Sequence, residues 1–192
     1  MSPDAIGVAT KPDLPNLRRF DKVSLTFRST MPSQTSYGDN LIAPYRVLDL
    51  TDDKGIFCTK LLADYGADVV RVEPPTGDPG RTKGPFPNDE PGMESSAYYL
   101  FYNTNKRSIT LNLETSLGRS IFKQLAEKAD VVVESLPVGY LKNLGLDYES
   151  LSGSNPGLVM ASISPFGQTG PWKDLKSSDL IAMAASGYMQ IT

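Results

Sequence analysis

The 192-residue sequence contains no histidine. Histidine is the commonest general base and the commonest zinc ligand in proteins, so its absence excludes Ser-His and Cys-His nucleophile pairs within this chain. Any acid–base chemistry in this chain would therefore use carboxylates. We predict no metal site.

Cysteine is almost as scarce. Cys58 is the only one, so no intrachain disulfide forms and the chain suits a reducing cytosol. We predict that Cys58 is a small buried residue and that the protein is cytoplasmic. The mitochondrion stays open as an alternative, because Arg18, Arg19 and Arg28 stand among serines and threonines, whereas nearby acidic residues count against a transit peptide.

The chain lacks both a positive net charge and a long apolar run. Its 19 lysines and arginines face 22 acidic residues, which gives a net charge of −3, whereas nucleic-acid binding needs a basic face. No apolar run approaches the length that spans a bilayer, and the first residues lack the pattern of a secretory signal. We therefore predict no nucleic-acid partner and no membrane partner.

The character of the sequence changes near residue 43. Residues 1–43 carry four prolines and show little periodicity, and within them only 23–27 alternates like a strand. We predict a poorly ordered extension over 1–43 and one domain over 44–192.

Regular alternation of strand and helix begins at residue 45. Apolar runs of strand length at 45–50 and 68–72 enclose a helical pattern, which predicts a parallel βαβ unit. Four large side chains of that pattern share one predicted apolar face: Phe57, Leu61, Leu62 and Tyr65. Further strands are predicted at 108–113, 130–134 and 158–163, and further helices at 96–102, 115–128, 138–143, 148–152 and 179 to about 189. The pattern is typical of an α/β fold, an open parallel Rossmann-like sheet flanked by helices.

Such a sheet binds its ligand at the carboxyl ends of the strands, where two loops stand out. The first turn, 51–55, holds only Gly55 of the three glycines of a dinucleotide fingerprint, which argues against a nicotinamide or flavin cofactor. Asp52 in this turn either caps the next helix or contacts a ligand. The loop at 74–91 is long, and loops of that length are usually binding segments or mobile lids.

Four segments follow one another in a recognisable order. They are the strand–helix–strand unit at 45–75, the Asn-Lys-Arg-Ser block at 105–108, the strand and turn at 129–140, and the loop at 162–171. Together they resemble the family III CoA-transferases, the group that includes formyl-CoA transferase, carnitine CoA-transferase and α-methylacyl-CoA racemase. The resemblance runs from about 45 to 192 and implies that the sheet is an incomplete part of a larger, interlocked-dimer fold.

The resemblance implies CoA contacts at two strand ends. Leu111 and Leu113 match positions that flank the adenine of CoA, which an apolar slot would suit. Ser135 and Leu136 follow the next strand and match CoA contacts, a place that the topology of the sheet favours independently.

Two lysines complete the implied CoA-binding set. Lys54 falls near the place where some transferases present a catalytic glutamine, and Lys176 matches a CoA-contacting lysine. An ordinary exposed lysine is the alternative for Lys176. Without the family resemblance, Lys106 and Arg107 are interpreted as solvated residues at an edge of the sheet.

In the family, CoA moves from an acyl-CoA to a carboxylic acid through covalent intermediates at one aspartate, which lies beyond the positions that this chain covers. The resemblance therefore implies acyl-CoA and a carboxylic acid as substrates, no tightly bound cofactor, and no catalytic residue in this chain. Ser178 stands where the racemase branch carries a histidine, which counts against racemase chemistry. We expect the full-length protein to be a homodimeric CoA-transferase and this chain alone to be inactive.

The apolar helix near the end of the chain needs a partner that the remaining residues cannot supply. Its apolar face consists of Ile181, Met183, Ala184 and Ala185. We therefore expect the chain to be a piece of a larger protein. The alternative is a short protein that binds CoA or a partner chain without catalysis. The missing nucleophile favours this alternative. The first turn favours it too, because Asp52 and Asp53 add charge there and Gly55-Ile56 replaces the Ala-Gly-Pro with which the family's turn usually ends.

Overall fold

The computed structural model describes residues 6–8, 41–42 and 44–191. The strand predicted at 23–27 and most of the predicted extension lie outside these residues. Residues 6–8 form a short strand at the edge of the sheet, which the sequence pattern does not predict. The domain boundary near residue 43 stays a prediction.

Six strands form one sheet. They are β1 (Ile6–Val8), β2 (Arg46–Leu50), β3 (Asp68–Glu73), β4 (Arg107–Leu111), β5 (Val131–Glu134) and β6 (Val159–Ser162). Their order across the sheet is β1-β4-β3-β2-β5-β6. Strands β2 to β6 run parallel, whereas β1 pairs antiparallel with β4. The predicted open parallel sheet is confirmed, with one antiparallel strand added at its edge.

Helices lie between the strands and follow the last one. The α-helices are α1 (Ile56–Asp64), α2 (Ala97–Tyr102), α3 (Ser116–Ala126), α4 (Tyr140–Asn143), α5 (Tyr148–Ser152) and α6 (Asp179–Ala185), and short 3₁₀ helices lie at Pro79–Thr82, Pro87–Asp89 and Tyr188–Gln190. The predicted bounds of α2 to α5 agree to within two residues. Helix α6 is shorter than predicted because Gly187 turns the backbone to a φ of 77°, which ends the helix.

The apolar core occupies both faces of the sheet. The larger cluster includes Leu48, Val70, Leu111, Phe122 and Leu125. The smaller cluster includes Val47, Val69, Val133, Ala63 and Ala67. Neighbouring residues of a strand point to opposite faces, so one strand serves both clusters. Because both faces are covered, the strands appear in the sequence as continuous apolar runs.

Helix α1 turns a different face to the sheet from the one that the sequence predicts. The structure buries Ile56, Thr59 and Ala63, whereas Phe57 and Tyr65 of the predicted apolar face remain 52% and 53% exposed. The small side chains of Thr59 and Ala63 let the helix lie close to the strands. Leu62 of the predicted face is partly buried against the smaller cluster. The prediction is wrong for Phe57, Leu61 and Tyr65, which are exposed.

Cys58 lies on the outward face of α1. It is exposed, so the prediction of a buried cysteine is wrong. Two other helices begin at residues whose side chains cap them. Thr115 is the N-cap of α3, and its hydroxyl accepts a hydrogen bond from the Gly118 amide at 3.0 Å. Ser178 is the N-cap of α6.

Helix α6 presents apolar side chains to solvent. Leu180 is 64% exposed and Ile181 is 47% exposed, so its apolar face has no cover within the described residues. None of the described helices combines the length and the apolar character that a membrane span requires.

A substitution at Gly118, in the first turn of α3, tests how closely this helix approaches the end of β4. A Cβ added there would lie 1.8 Å from the carbonyl oxygen of Asn112, so Gly118→Ala has to displace backbone. We expect G118A to lower the free energy of unfolding by about 1 to 3 kcal/mol, the usual cost of overpacking. Urea denaturation measures it.

Gly153→Ala is the matched control. A Cβ at Gly153 would lie 3.9 Å from its nearest neighbour, the carbonyl oxygen of Ser150, and the backbone there is right-handed. G153A should leave the free energy of unfolding unchanged or raise it slightly. Equal losses in the two variants would contradict the close approach at Gly118.

Candidate functional site

A cleft of about 290 Å³ lies at the carboxyl end of the sheet. Its lining includes Leu50 at the end of β2, Glu73 at the end of β3, Leu111 at the end of β4 and Leu136 just after β5. The strand order reverses between β2 and β5, because β3 and β4 lie on one side and β6 on the other. Parallel sheets bind ligands beside such a reversal, so the topology by itself marks this cleft.

Three of the predicted CoA contacts line the cleft together: Leu111, Leu113 and Leu136. Leu111 is 2% exposed and belongs to the larger core cluster, and Leu113 and Leu136 pack against that cluster. Pro74 and Pro75 line the cleft as well. These side chains make a largely apolar surface that suits a flat, weakly polar group.

Ser135 holds the first turn in place from beside the cleft. Its side chain is fully buried; its hydroxyl accepts a hydrogen bond from the Asp52 amide at 2.6 Å and donates one to Asp52 Oδ1 at 2.6 Å. Asp52 Oδ1 also accepts from the Lys54 amide at 3.0 Å. Gly55 is the N-cap residue of α1, and no side chain caps this helix. The interpretation of Asp52 as a helix cap is therefore wrong, and its carboxylate instead stabilises the turn.

The two predicted lysines lie outside the cleft lining. Lys54 is exposed and forms an ion pair with Asp52. Lys176 is exposed in the segment between β6 and α6. The structure therefore brings Lys54 to the turn beside the cleft and does not bring Lys176 into its wall.

A buried charged network that the sequence did not predict lies next to the cleft. Asp49 on β2 is fully buried. Its Oδ1 accepts from Arg71 Nη1 at 3.0 Å, and its Oδ2 accepts from Lys106 Nζ at 2.9 Å and from Thr59 Oγ1 at 2.8 Å. The Lys106 side chain is 1% exposed, so the interpretation of Lys106 as a solvated residue is wrong. The available signal was a charged residue inside each of two apolar strands, Asp49 in β2 and Arg71 in β3.

The two cations hold Asp49 in its charged form. Burial alone would raise the pKa of the Asp49 carboxyl, but Arg71 and Lys106 outweigh burial and lower this pKa below its usual value. Arg71 also forms an ion pair with Asp78. Two acids therefore compensate two bases, and the network adds little net charge to the cleft wall.

A second buried pair fastens the segment that follows β3. Arg81 binds both oxygens of Glu73, from Nε at 2.8 Å and from Nη2 at 2.8 Å. Tyr99 donates to Glu73 at 2.5 Å, and Ser108 donates to the same oxygen. Burial would raise the pKa of Glu73, but these hydrogen bonds, with Arg81 first among them, lower it to about 2.

The long loop after β3 forms one wall of the cleft. Pro75, Asp78 and Gly80 of this loop line it, and the ion pairs with Arg71 and Glu73 hold the loop against the sheet. Of the two predicted roles for the loop, the structure favours a segment that shapes the binding site.

The polar groups of the cleft are mainly hydrogen-bond acceptors. Asp52, Asp53 and Glu114 line it, and the first two are paired with Lys54 and Lys83. Arg71, which also lines it, is already paired with two carboxylates. The described residues include no cluster of side chains that could hold a metal ion. The cleft can therefore bind an uncharged group that has an apolar surface and donates hydrogen bonds.

Comparison with known proteins gives a consistent result. The family model described as CoA-transferase family III matches residues 42–192. The chain is 46% identical over 145 residues to the succinyl-CoA:(R)-benzylsuccinate CoA-transferase subunit BbsE of Thauera aromatica. The matched region covers 76% of this chain and 35% of that protein. It is also 43% identical over 148 residues to the acetyl-CoA:oxalate CoA-transferase of Acetobacter aceti. This match covers 76% of this chain and 37% of that protein.

A solved structure shows the same likeness. The crystal structure of a CAIB/BAIF family protein from Brucella suis matches with a TM-score of 0.70 and 39% sequence identity, over 78% of this chain and 40% of that one. The chain thus spans well under half the length of the proteins that it matches.

Lys106→Met tests the buried network. The substitution leaves Asp49 buried with one cation fewer, so we expect the free energy of unfolding to fall by about 3 kcal/mol, the lower end of the cost of breaking a buried ion pair. The neighbouring Arg107→Met is the control, because the Arg107 side chain is 56% exposed in its ion pair with Asp68. R107M should cost less than about 1 kcal/mol. Similar losses in urea denaturation would refute a special role for Lys106.

Proposed function

Since this chain belongs to CoA-transferase family III, we propose that it forms the CoA-binding part of an enzyme that moves CoA from an acyl-CoA to a carboxylic acid. The observation that supports this most directly is the cleft at the carboxyl end of the sheet. Three side chains that the family resemblance assigns to CoA, those of Leu111, Leu113 and Leu136, meet there.

The size of the cleft fits a part of CoA. Pockets for whole drug-sized ligands run from about 300 to 1,000 Å³, and this cleft, at about 290 Å³, is slightly smaller than that range. It suits one ring system, with the rest of the CoA chain lying along the surface. Binding energy gained at the ring system, far from the thioester, would orient the thioester for attack.

The proposed chemistry takes place at an aspartate outside these 192 residues. Its carboxylate attacks the thioester carbonyl and expels the CoA thiolate, which leaves a mixed anhydride. The thiolate then attacks the aspartyl carbonyl, which releases the donor acid and leaves an aspartyl-CoA thioester. The acceptor carboxylate then attacks the aspartyl-CoA thioester and expels the thiolate, which gives a second mixed anhydride. The thiolate attacks the acceptor's carbonyl in this anhydride, which releases the acceptor-CoA thioester and regenerates the aspartate. The proposal includes a cytoplasmic homodimer for the full-length protein, and an inactive chain when these residues stand alone.

A second candidate function is CoA binding without catalysis. The feature that favours it is the first turn, where Asp52 and Asp53 line the cleft and Lys54 pairs with Asp52. A turn that differs in this way from the family pattern could serve binding alone. Turnover by the full-length protein separates the two functions.

Calorimetric titration with CoA and with NAD tests the proposal. We expect the full-length protein to bind CoA and to ignore NAD. Leu136→Asp adds a carboxylate to the cleft and should weaken CoA binding by roughly tenfold or more, since burying an unpaired charge is costly. Leu117→Asp is the control, because Leu117 is 51% exposed on α3 and does not line the cleft. Binding of NAD without CoA, or an equal loss in both variants, would overturn the proposal.

A further inference from the structure

Glu114 and Tyr140 close one side of the cleft. Glu114 comes just after β4, Tyr140 begins α4, and both line the cleft with Leu113 and Leu136. The Tyr140 hydroxyl donates a hydrogen bond to Glu114 Oε1. Burial and the Glu114 carboxylate raise the pKa of Tyr140 to about 12, so the phenol stays protonated and keeps this carboxylate oriented. Glu114 Oε2 takes no hydrogen bond from the part of the chain that the structure describes.

The charges around the cleft disfavour a phosphate inside it. Of the three carboxylates that line the cleft, Asp52 pairs with Lys54 and Asp53 pairs with Lys83. Glu114 forms no ion pair with the described residues, so its charge repels a phosphate. Arg71 does not offset this charge, because Asp49 and Asp78 already neutralise it. The portion of CoA that enters should therefore be uncharged, and the phosphates should lie outside.

The adenine of CoA matches both properties of this cleft. Its faces are flat and weakly polar, which suits the leucine and proline side chains of the lining. Its exocyclic amino group carries two donor hydrogens, which suit a carboxylate acceptor. A base with a carbonyl oxygen at the same position would face Glu114 with two acceptors and no proton between them.

We propose that Glu114 determines the base specificity of the site by accepting a hydrogen bond from the adenine amino group, an inference that rests on the proposed CoA-binding function. Tyr140 acts through Glu114 as a positioning residue. The apolar side chains supply most of the contact area with the base, and Glu114 discriminates adenine from bases that lack the amino group.

Titration of the full-length protein with CoA and with its hypoxanthine analogue tests the inference. The analogue replaces the amino group by a carbonyl oxygen and keeps the phosphates and the pantetheine arm. We expect the unchanged protein to prefer CoA by roughly tenfold or more, the effect of a hydrogen bond to a charged group. Glu114→Gln keeps the shape and offers both donor and acceptor, so its preference should fall to within about threefold.

Two further variants make the result specific. Tyr140→Phe leaves the carboxylate in place and should retain a preference for CoA. Glu149→Gln on α5, an exposed residue away from the cleft, should behave like the unchanged protein. Equal affinity of the unchanged protein for the two ligands, or a preference that survives E114Q, would overturn the role of Glu114 and leave CoA binding intact. Failure to bind either ligand would overturn the proposed function as well.

Discussion

The placement of a fully buried carboxylate, Asp49, between two cations is the constraint on which the rest of this domain depends. Arg71 reaches it from the adjacent strand and Lys106 from the segment before β4. A buried charge without partners is very unfavourable, so these three side chains must meet whenever the sheet forms. Their meeting fixes α1 through Thr59 and the loop after β3 through Asp78.

This constraint also shapes the ligand site. The loop that Asp78 and Arg81 fasten supplies one wall of the cleft. The use of Arg71 within the network removes its charge from the cleft and leaves acceptor groups such as Glu114 to face a ligand. The fold thus offers an apolar surface edged with carboxylates, and that chemistry suits a base better than a phosphate.

Periodicity and composition predicted the parallel sheet because strands covered on both faces leave continuous apolar runs in the sequence. The likeness of Leu111, Leu113 and Leu136 to a family pattern placed them at one site, and the strand topology explains why they meet. The buried role of Lys106 could not be predicted, because its partner Asp49 is 57 residues away in sequence. The face of α1 was predicted wrongly for its large aromatic residues, because the helix packs on the sheet through Ile56 and the small side chains of Thr59 and Ala63.

Hydrogen exchange measured by mass spectrometry, with and without CoA, tests whether the carboxyl end of the sheet binds CoA. The amides that should slow on addition of CoA are those at 51–54, 111–114 and 135–140, because these segments surround the cleft. The amino ends of the strands and the outer faces of α1 and α3 should exchange unchanged. Protection confined to those outer faces, with no change at the three segments, would contradict the account.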